Sequence, residues 1–176
     1  VNATPIISVN SGAICYGQSF TITPSGASTY TISGGTSIVN PTSTSNYNVT
    51  GTSALGCVGT NTAVSTVTVN PLPTVVVNSG AICNGSSFTM TPSGATTYTY
   101  SSGASNVTPT TTTNYTVTGT DANGCNNDAV STVTVNALPT ISVASTTICA
   151  GATGSLTASG AATYTWNTGI NSAVLS

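Results

Sequence analysis

The chain has 176 residues, and only two of them, Asp121 and Asp128, are charged, since it contains no Lys, Arg, His or Glu. Ordinary soluble domains are about 25% charged, and a chain without cationic side chains lacks the groups that neutralise nucleic-acid phosphates. The lack of His and Glu also removes the parts of most acid–base and metal sites. The composition therefore predicts a protein that binds no nucleic acid, carries no cofactor or metal and is not an enzyme.

The sequence repeats itself from its first residues onward. Val1-Asn2 matches Val69-Asn70, which predicts that residues 1–3 are the tail of a preceding repeat or a linker. The segment Ser11 to Cys15 recurs at Ser79 to Cys83, a shift of 68, whereas Ala63 to Asn70 recurs at Ala129 to Asn136, a shift of 66. The first repeat is therefore predicted at residues 4–70. Its alternating runs predict strands at Ile7–Val9, Ser19–Thr23, Tyr30–Ile32, Asn46–Thr50 and Ser65–Val69.

Two further repeats follow. The second is predicted at residues 71–136, with strands at Val75–Val77, Ser87–Thr91, Tyr98–Tyr100, Asn114–Thr118 and Ser131–Val135. Residues 137–176 match the first half of a third repeat. The joints Pro71-Leu72-Pro73 and Ala137-Leu138-Pro139 are short and contain Pro, which predicts semi-rigid connections.

Each repeat is predicted to be a small all-β sandwich, because short strands recur at regular spacing and no helical periodicity competes with them. Trp166 falls on the predicted third strand of its repeat, and Tyr47 and Tyr115 open the penultimate strand, the place of a tyrosine corner. These positions favour an immunoglobulin-like fold with repeats of about 66–68 residues. The predicted inward side chains are Phe20, Ile22, Tyr30, Ile32, Tyr47, Val49, Val67 and Val69, with Phe88, Met90, Tyr98, Tyr100, Tyr115, Val117, Val133 and Val135 as counterparts.

The five cysteines occur in two contexts. Cys15, Cys83 and Cys149 follow Ile and precede X-Gly, whereas Cys57 and Cys125 follow Gly. The favoured pairing is Cys15–Cys57 and Cys83–Cys125, with the partner of Cys149 missing; each such bond closes about 43 residues and stabilises by about 4 kcal/mol. A competing map joins Cys15 to Cys125 of the next repeat, and free thiols are the third possibility. Either disulfide map requires an oxidising compartment, hence secretion or a cell surface.

The remaining polar motifs are weak as sites. Asp121-Ala122-Asn123-Gly124 resembles part of a calcium loop, but the first repeat has no carboxylate there, and a hairpin turn explains the pattern. Candidate glycosylation sequons, Asn-X-Ser/Thr, begin at Asn2, Asn48, Asn84, Asn106 and Asn114. Glycans would cover a surface that has no charges to prevent association; without them, association itself is the expected role.

The combined string of motifs resembles the immunoglobulin-like repeats of large Bacteroidota cell-surface proteins. Its pieces lie at Leu72–Thr74, Ile82–Gly85, Ser93–Thr99, Asn114–Cys125 and Ser131–Asn136. The resemblance implies export to the cell surface, long multi-repeat chains, and roles in adhesion, gliding or extracellular fibres. It brings no catalytic or ligand residues.

The expected function is that of an extracellular structural and adhesive protein that self-associates into a rod or filament. No apolar stretch approaches the ~20 residues of a membrane span. Two alternatives remain open. A carbohydrate-binding module would use exposed aromatic side chains such as Tyr16, with surface glycans as partners. An ice-binding segment would use rows such as Thr66-Val67-Thr68 and Thr116-Val117-Thr118.

Overall fold

The structure is a computed structural model that describes residues 2–175, and all regular secondary structure in that range is β-strand. The all-β prediction is therefore confirmed. Val1 and Ser176 lie outside the described residues, so the match of Val1 to Val69 stays a sequence observation.

The first repeat contains eight strands. They are β1 (Ser8–Val9), β2 (Gly12–Cys15), β3 (Phe20–Thr21), β4 (Pro24–Ser25), β5 (Thr29–Ile32), β6 (Ile38–Val39), β7 (Ser45–Thr52) and β8 (Ala63–Asn70). The main sheet has the order β2-β8-β7-β5, and the short strands form the pairs β1-β4 and β3-β6. In this sheet β7 is antiparallel to both β8 and β5, whereas β2 is parallel to β8.

This arrangement is that of an immunoglobulin-like sandwich. The order β5-β7-β8 corresponds to the C, F and G strands of such folds, and β1, β3 with β4, and β6 correspond to the A, B and E strands of the opposite layer. Side chains from both layers meet in one buried cluster: Ile7, Ile14, Ile22, Val39, Val49 and Val67. The immunoglobulin-like prediction is confirmed.

The second repeat has equivalent strands. They are β9 (Gly80–Cys83), β10 (Phe88–Thr89), β11 (Thr97–Tyr100), β12 (Asn106–Val107), β13 (Thr113–Thr120) and β14 (Asn126–Asn136). β11 pairs antiparallel with β13, and the end of β14 pairs parallel with β9. The predicted strand at Val75–Val77 is reduced to an isolated bridge between Val76 and Ser93.

The third repeat is represented by β15 (Ser142–Val143), β16 (Leu156–Ser159) and β17 (Val174–Leu175), which pair antiparallel in that order. The segment that matches β2 and β9 ends at Cys149 and forms no strand. The prediction that Trp166 lies on a strand is wrong. Trp166 is half-buried in a turn, and its indole N–H donates to the Ser172 carbonyl at 2.8 Å.

The described residues cluster into two compact units. The first comprises the chain up to Ser79 together with Thr89–Asn106 and Asn114–Ser131, and the second comprises Gly80–Phe88, Val107–Thr113 and the chain from Thr132. The predicted repeat boundaries, which follow the sequence period, stay a prediction.

No helix in residues 2–175 is long and apolar enough to cross a membrane.

The predicted inward set is confirmed, since every member is buried or half-buried. The tyrosine-corner prediction differs from the structure in position. The hydroxyl of Tyr30 accepts from the Ala27 N–H at 2.9 Å and donates to the Ala27 carbonyl at 2.8 Å. Tyr98 and Ala95 repeat this pair of bonds. The bonded tyrosine therefore lies at the start of the third strand and ties down the turn before it, rather than opening the penultimate strand at Tyr47 or Tyr115.

Candidate functional site: two kinds of cysteine-bearing turn

The first kind of turn follows β2 and carries Cys15. Its geometry is fixed by backbone bonds: the Gln18 N–H donates to the Cys15 carbonyl at 3.0 Å, and the Tyr16 N–H donates to the carbonyl of Asn70 at 2.8 Å. Gly17 has φ +86°, a left-handed conformation that glycine adopts without strain. The Ile-Cys-X-Gly motif therefore encodes a tight turn that presents one sulfur at the end of the main sheet.

The second kind of turn precedes the last strand and carries Cys125. The Asp121 N–H donates to the Cys125 carbonyl at 2.9 Å. The Asp121 carboxylate in turn accepts from the N–H groups of Asn123 at 2.8 Å and Cys125 at 2.9 Å. These bonds occupy Asp121 Oδ1 within its own turn, as the hairpin interpretation predicts. Among residues 2–175 no group of His, Cys, Asp and Glu side chains has the arrangement of a metal site.

The first repeat builds the same turn without the carboxylate. The Ser53 N–H donates to the Cys57 carbonyl at 2.9 Å, and the Ser53 hydroxyl accepts from the Cys57 N–H at 3.1 Å. Gly56 and Gly124 share a φ of +80°. The Ser53 hydroxyl thus accepts the same backbone N–H bond that the Asp121 carboxylate accepts in the second repeat. Since a neutral group can do this, the role of the Asp121 carboxylate here is to form the turn.

A disulfide joins the two kinds of turn. Cys15 is bonded to Cys125, with a Cα–Cα distance of 5.5 Å and a sequence separation of 110. Both residues belong to the first compact unit, and Cys125 is fully buried. The bond therefore links the first sequence repeat to the second.

The structure corrects the favoured pairing of Cys15 with Cys57 and of Cys83 with Cys125. Cys15 lies opposite Asn70 at the end of β8, whereas Cys57 precedes the start of β8 at Ala63. Eight strand residues span roughly 23–26 Å, and a disulfide requires Cα atoms within about 7 Å. The same argument holds in the second repeat, where Cys83 lies opposite the last residue of β14 and Cys125 directly precedes its first.

The other three cysteines are free in the structure: Cys57 is half-buried, and Cys83 and Cys149 are exposed. The sequence analysis includes the Cys15–Cys125 pairing as the competing alternative. It does not predict the parallel pairing of β2 with β8, which is the feature that favours Cys15–Cys125 over Cys15–Cys57. Gly12-Ala13-Ile14 has little of the β-branched alternation that is typical of a strand. The sequence therefore does not predict β2.

A small groove borders the disulfide within the first unit. It has a volume of about 220 Å³ and is lined by Cys15, Tyr16, Gly17, Gln18, Leu72, Gly124 and Asn126. The Tyr16 side chain is 53% exposed. Amide groups beside an exposed aromatic ring give the groove both an apolar and a polar wall.

All five predicted sequon asparagines, Asn2, Asn48, Asn84, Asn106 and Asn114, are exposed. Each is thus accessible for modification, and glycosylation stays a prediction.

No protein-family model and no curated protein matches the sequence. Among solved structures, the chain is similar to a Ca²⁺-stabilised adhesin with which an Antarctic bacterium binds ice, at 17% identity and a TM-score of 0.42, covering 81% of this chain and 52% of that one. The chain is also similar to a structure from a 1.5-MDa bacterial ice-binding adhesin, at 17% identity and a TM-score of 0.32, covering 82% of this chain and 70% of that one. A three-domain immunoglobulin segment of titin is similar at 9% identity and a TM-score of 0.36, covering 92% of this chain and 77% of that one. The chain spans about half the length of the first adhesin segment, and at these scores the likenesses carry no argument about function.

Proposed function

We propose that this chain is part of an extracellular structural and adhesive protein, a rod or filament of tandem immunoglobulin-like repeats that associates with itself and performs no catalysis. The repeats are residues 4–70, 71–136 and the half-repeat 137–176, with residues 1–3 as the tail of a preceding repeat or a linker. The observation that carries the proposal is the Cys15–Cys125 disulfide, which links turns of successive repeats. Such bonds persist in secreted and surface proteins and not in the reducing cytosol.

The composition of the surface supports association. Large apolar side chains are exposed on it, Ile6 at 81%, Leu55 at 72% and Ile38 at 60%, while Asp121 and Asp128 are the only charges in the sequence. A surface with almost no net charge promotes association. Exposed apolar groups add an attractive contribution when they form contiguous patches.

The edge of the main sheet supports it further. β5 is the last strand in the order β2-β8-β7-β5 and carries Thr29, Tyr30, Thr31 and Ile32, none of them charged. Proteins that must stay monomeric protect such edges with Lys or Pro. An unprotected edge fits a protein for which lateral pairing between rods is part of the role.

The surface location and the resemblance to Bacteroidota repeats belong to the same proposal, as do N-linked glycans on the five exposed sequons. Glycans would set the spacing between neighbouring rods by covering part of the uncharged surface. Surface glycans of other cells are candidate adhesion partners.

Electron microscopy of the native material tests the proposal. Fibres or rods with an axial repeat set by one immunoglobulin-like unit are expected at the cell surface. Globular particles without axial periodicity, or recovery of the protein from the cytosol with reduced thiols, would contradict it.

A carbohydrate-binding role is the second candidate, and the groove beside the disulfide favours it. Tyr16 supplies an exposed aromatic face, and the Gln18 and Asn126 side chains supply amide groups. A glycan array compares the native chain with Tyr16→Ala: binding that disappears in the variant supports this role, and no binding by the native chain excludes it. Tyr47→Ala serves as a control for general loss of structure, since Tyr47 packs against the core.

A further inference from the structure

Two free cysteines occupy positions whose equivalents in the other repeat are bonded. Cys83 is the counterpart of Cys15, and Cys57 is the counterpart of Cys125, by the shift of 68 that aligns the two repeats. Cys15 and Cys125 are bonded to each other, while Cys83 and Cys57 are free.

The free turns already have the geometry of the bonded ones. At Cys83 the Ser86 N–H donates to the cysteine carbonyl at 3.0 Å, and Gly85 has φ +88°. In the bonded turn, the Gln18 N–H donates to the Cys15 carbonyl at 3.0 Å, and Gly17 has φ +86°. The Ser53 N–H donates to the Cys57 carbonyl at 2.9 Å, the same distance as from the Asp121 N–H to the Cys125 carbonyl. The backbone of each free turn thus has the hydrogen bonds and glycine conformation of its bonded counterpart.

Neither free cysteine can be bonded inside its own repeat. The main-sheet register places the Ile-Cys-X-Gly turn and the Gly-Cys turn at opposite ends of the last strand, in both repeats. A partner sulfur must therefore come from another repeat. The observed bond defines the direction, because the Ile-Cys-X-Gly turn of one repeat takes the Gly-Cys turn of the repeat that follows it.

We propose that Cys83 and Cys57 are complementary cross-linking sites: Cys83 bonds the Gly-Cys turn of a further copy of this repeat, and Cys57 bonds the Ile-Cys-X-Gly turn of another. The inference rests on the proposed repeat architecture and adds to it the partner and the atoms of the joint. Each bond joins unlike turns, so a chain of linked repeats always keeps one free turn of each kind at its ends. Such a heterologous contact extends into a filament when the rotation between successive repeats does not close into a ring.

The bond forms by thiol–disulfide exchange with a small disulfide such as oxidised glutathione. The Cys83 thiolate attacks one sulfur of the small disulfide, which gives a mixed disulfide and releases one thiol. The Cys57 thiolate of the partner then attacks the Cys83 sulfur and releases the second thiol. Two protein thiols are oxidised, the small disulfide is reduced to two thiols, and the two protein protons pass to the released thiolates.

Complementary variants test the pairing. Cys57→Ser removes the Gly-Cys sulfur and keeps Cys83 and Cys149; Cys83→Ser combined with Cys149→Ser removes both free Ile-Cys-X-Gly sulfurs and keeps Cys57. Each preparation is refolded with oxidised and reduced glutathione, alone and mixed with the other, and then analysed by non-reducing mass spectrometry. None of these residues is in the Cys15–Cys125 bond, so circular dichroism should show the native fold in all preparations.

The mixture should give a disulfide-linked dimer of one copy of each variant, and unlike pairs should exceed like pairs on the order of tenfold or more, because complementary turns that dock hold the two sulfurs in position to react. The native chain should give a ladder of longer species. Equal yields of like and unlike dimers, or no covalent dimer in the mixture, would overturn the inference. Either result would leave the rod proposal standing, since microscopy of native fibres tests that separately.

Discussion

Cys15 lies directly opposite Asn70, the last residue of β8, in a parallel register. This relationship places its sulfur at the far end of the strand from Cys57, and the neighbouring repeat supplies the partner instead. The parallel pairing of β2 with β8 therefore explains why Cys15 is bonded to a cysteine of the second sequence repeat and not to Cys57 of its own.

Loss of the Cys15–Cys125 bond should destabilise the protein strongly. The bond spans 110 residues of sequence, and in the chain-entropy model a loop of this size contributes about 4–5 kcal/mol. Cys15→Ser should lower the guanidinium unfolding midpoint accordingly, as measured by circular dichroism. Cys57→Ser is the matched control, because its thiol is free and the change should leave the midpoint of the monomer nearly unmoved. Equal midpoints for the two variants would contradict the assigned bond.

The tyrosine at the start of the third strand should contribute through its hydroxyl. Tyr30→Phe removes the two bonds to Ala27 and keeps the ring, so a loss of about 1–2 kcal/mol is expected. Tyr98→Phe should behave alike in the second repeat. Tyr16→Phe, an exposed position, is the control and should change stability by less than about 0.5 kcal/mol. Thermal unfolding of the three variants provides the comparison.

Ser65 and Ser131 are fully buried and each donates a hydroxyl hydrogen at 2.7 Å to a carbonyl, that of Asn10 or Asn78. Replacing either by Ala removes the donor, and we expect a loss of about 1–3 kcal/mol because a part-buried hydrogen bond from a fully buried side chain is lost. Ser87→Ala, at an exposed position, is the control. A chemical denaturation series in which all three variants match the native chain would show that these buried hydroxyls are not needed.

A pair of glycines separates conformational strain from steric collision. Gly26 has φ +99°, and a Cβ there would lie 1.9 Å from the Ile6 carbonyl oxygen; Gly17 has φ +86° with nothing within 4 Å. Gly17→Ala should cost about 1–2 kcal/mol from the left-handed backbone alone. Gly26→Ala should cost clearly more, about 3 kcal/mol or above, since backbone must also move. The difference in unfolding free energy between the two variants measures the collision, and a difference near zero would contradict the close approach of Gly26 to the Ile6 backbone.

The Asp121 turn should not depend on calcium. Asp121→Asn retains an acceptor for the N–H groups of Asn123 and Cys125 and should be nearly neutral, whereas Asp121→Ala should cost about 1 kcal/mol. Differential scanning calorimetry with Ca²⁺ and with EDTA should give the same melting temperature for the native chain. A calcium-dependent rise that disappears in Asp121→Asn would establish a metal site instead.

Much of the core can be predicted from sequence because the long strands alternate. Val49 and Val67 stand in clean alternating runs and are fully buried. Ile7 is buried as well but falls outside the predicted inward set, although it stands in the predicted alternating run Ile7–Val9. β2 is not predicted because Gly and Ala carry little strand preference, and its hydrogen bonds come from a partner more than fifty residues away. The disulfide map depends on that missed strand, so local patterns alone cannot select it.

Peptide mapping of the unreduced native protein tests the central claim most directly. Trypsin is of no use, because the chain contains no Lys or Arg, but chymotrypsin combined with a protease that cuts before Asp separates the relevant cysteines. Cleavage after aromatic residues and before Asp121 and Asp128 releases peptide 1–16 with Cys15, peptide 48–88 with Cys57 and Cys83, and peptide 121–127 with Cys125. The inter-repeat disulfide predicts peptide 1–16 linked to peptide 121–127. Recovery of peptide 1–16 linked to peptide 48–88, with peptide 121–127 also linked to peptide 48–88, would contradict it.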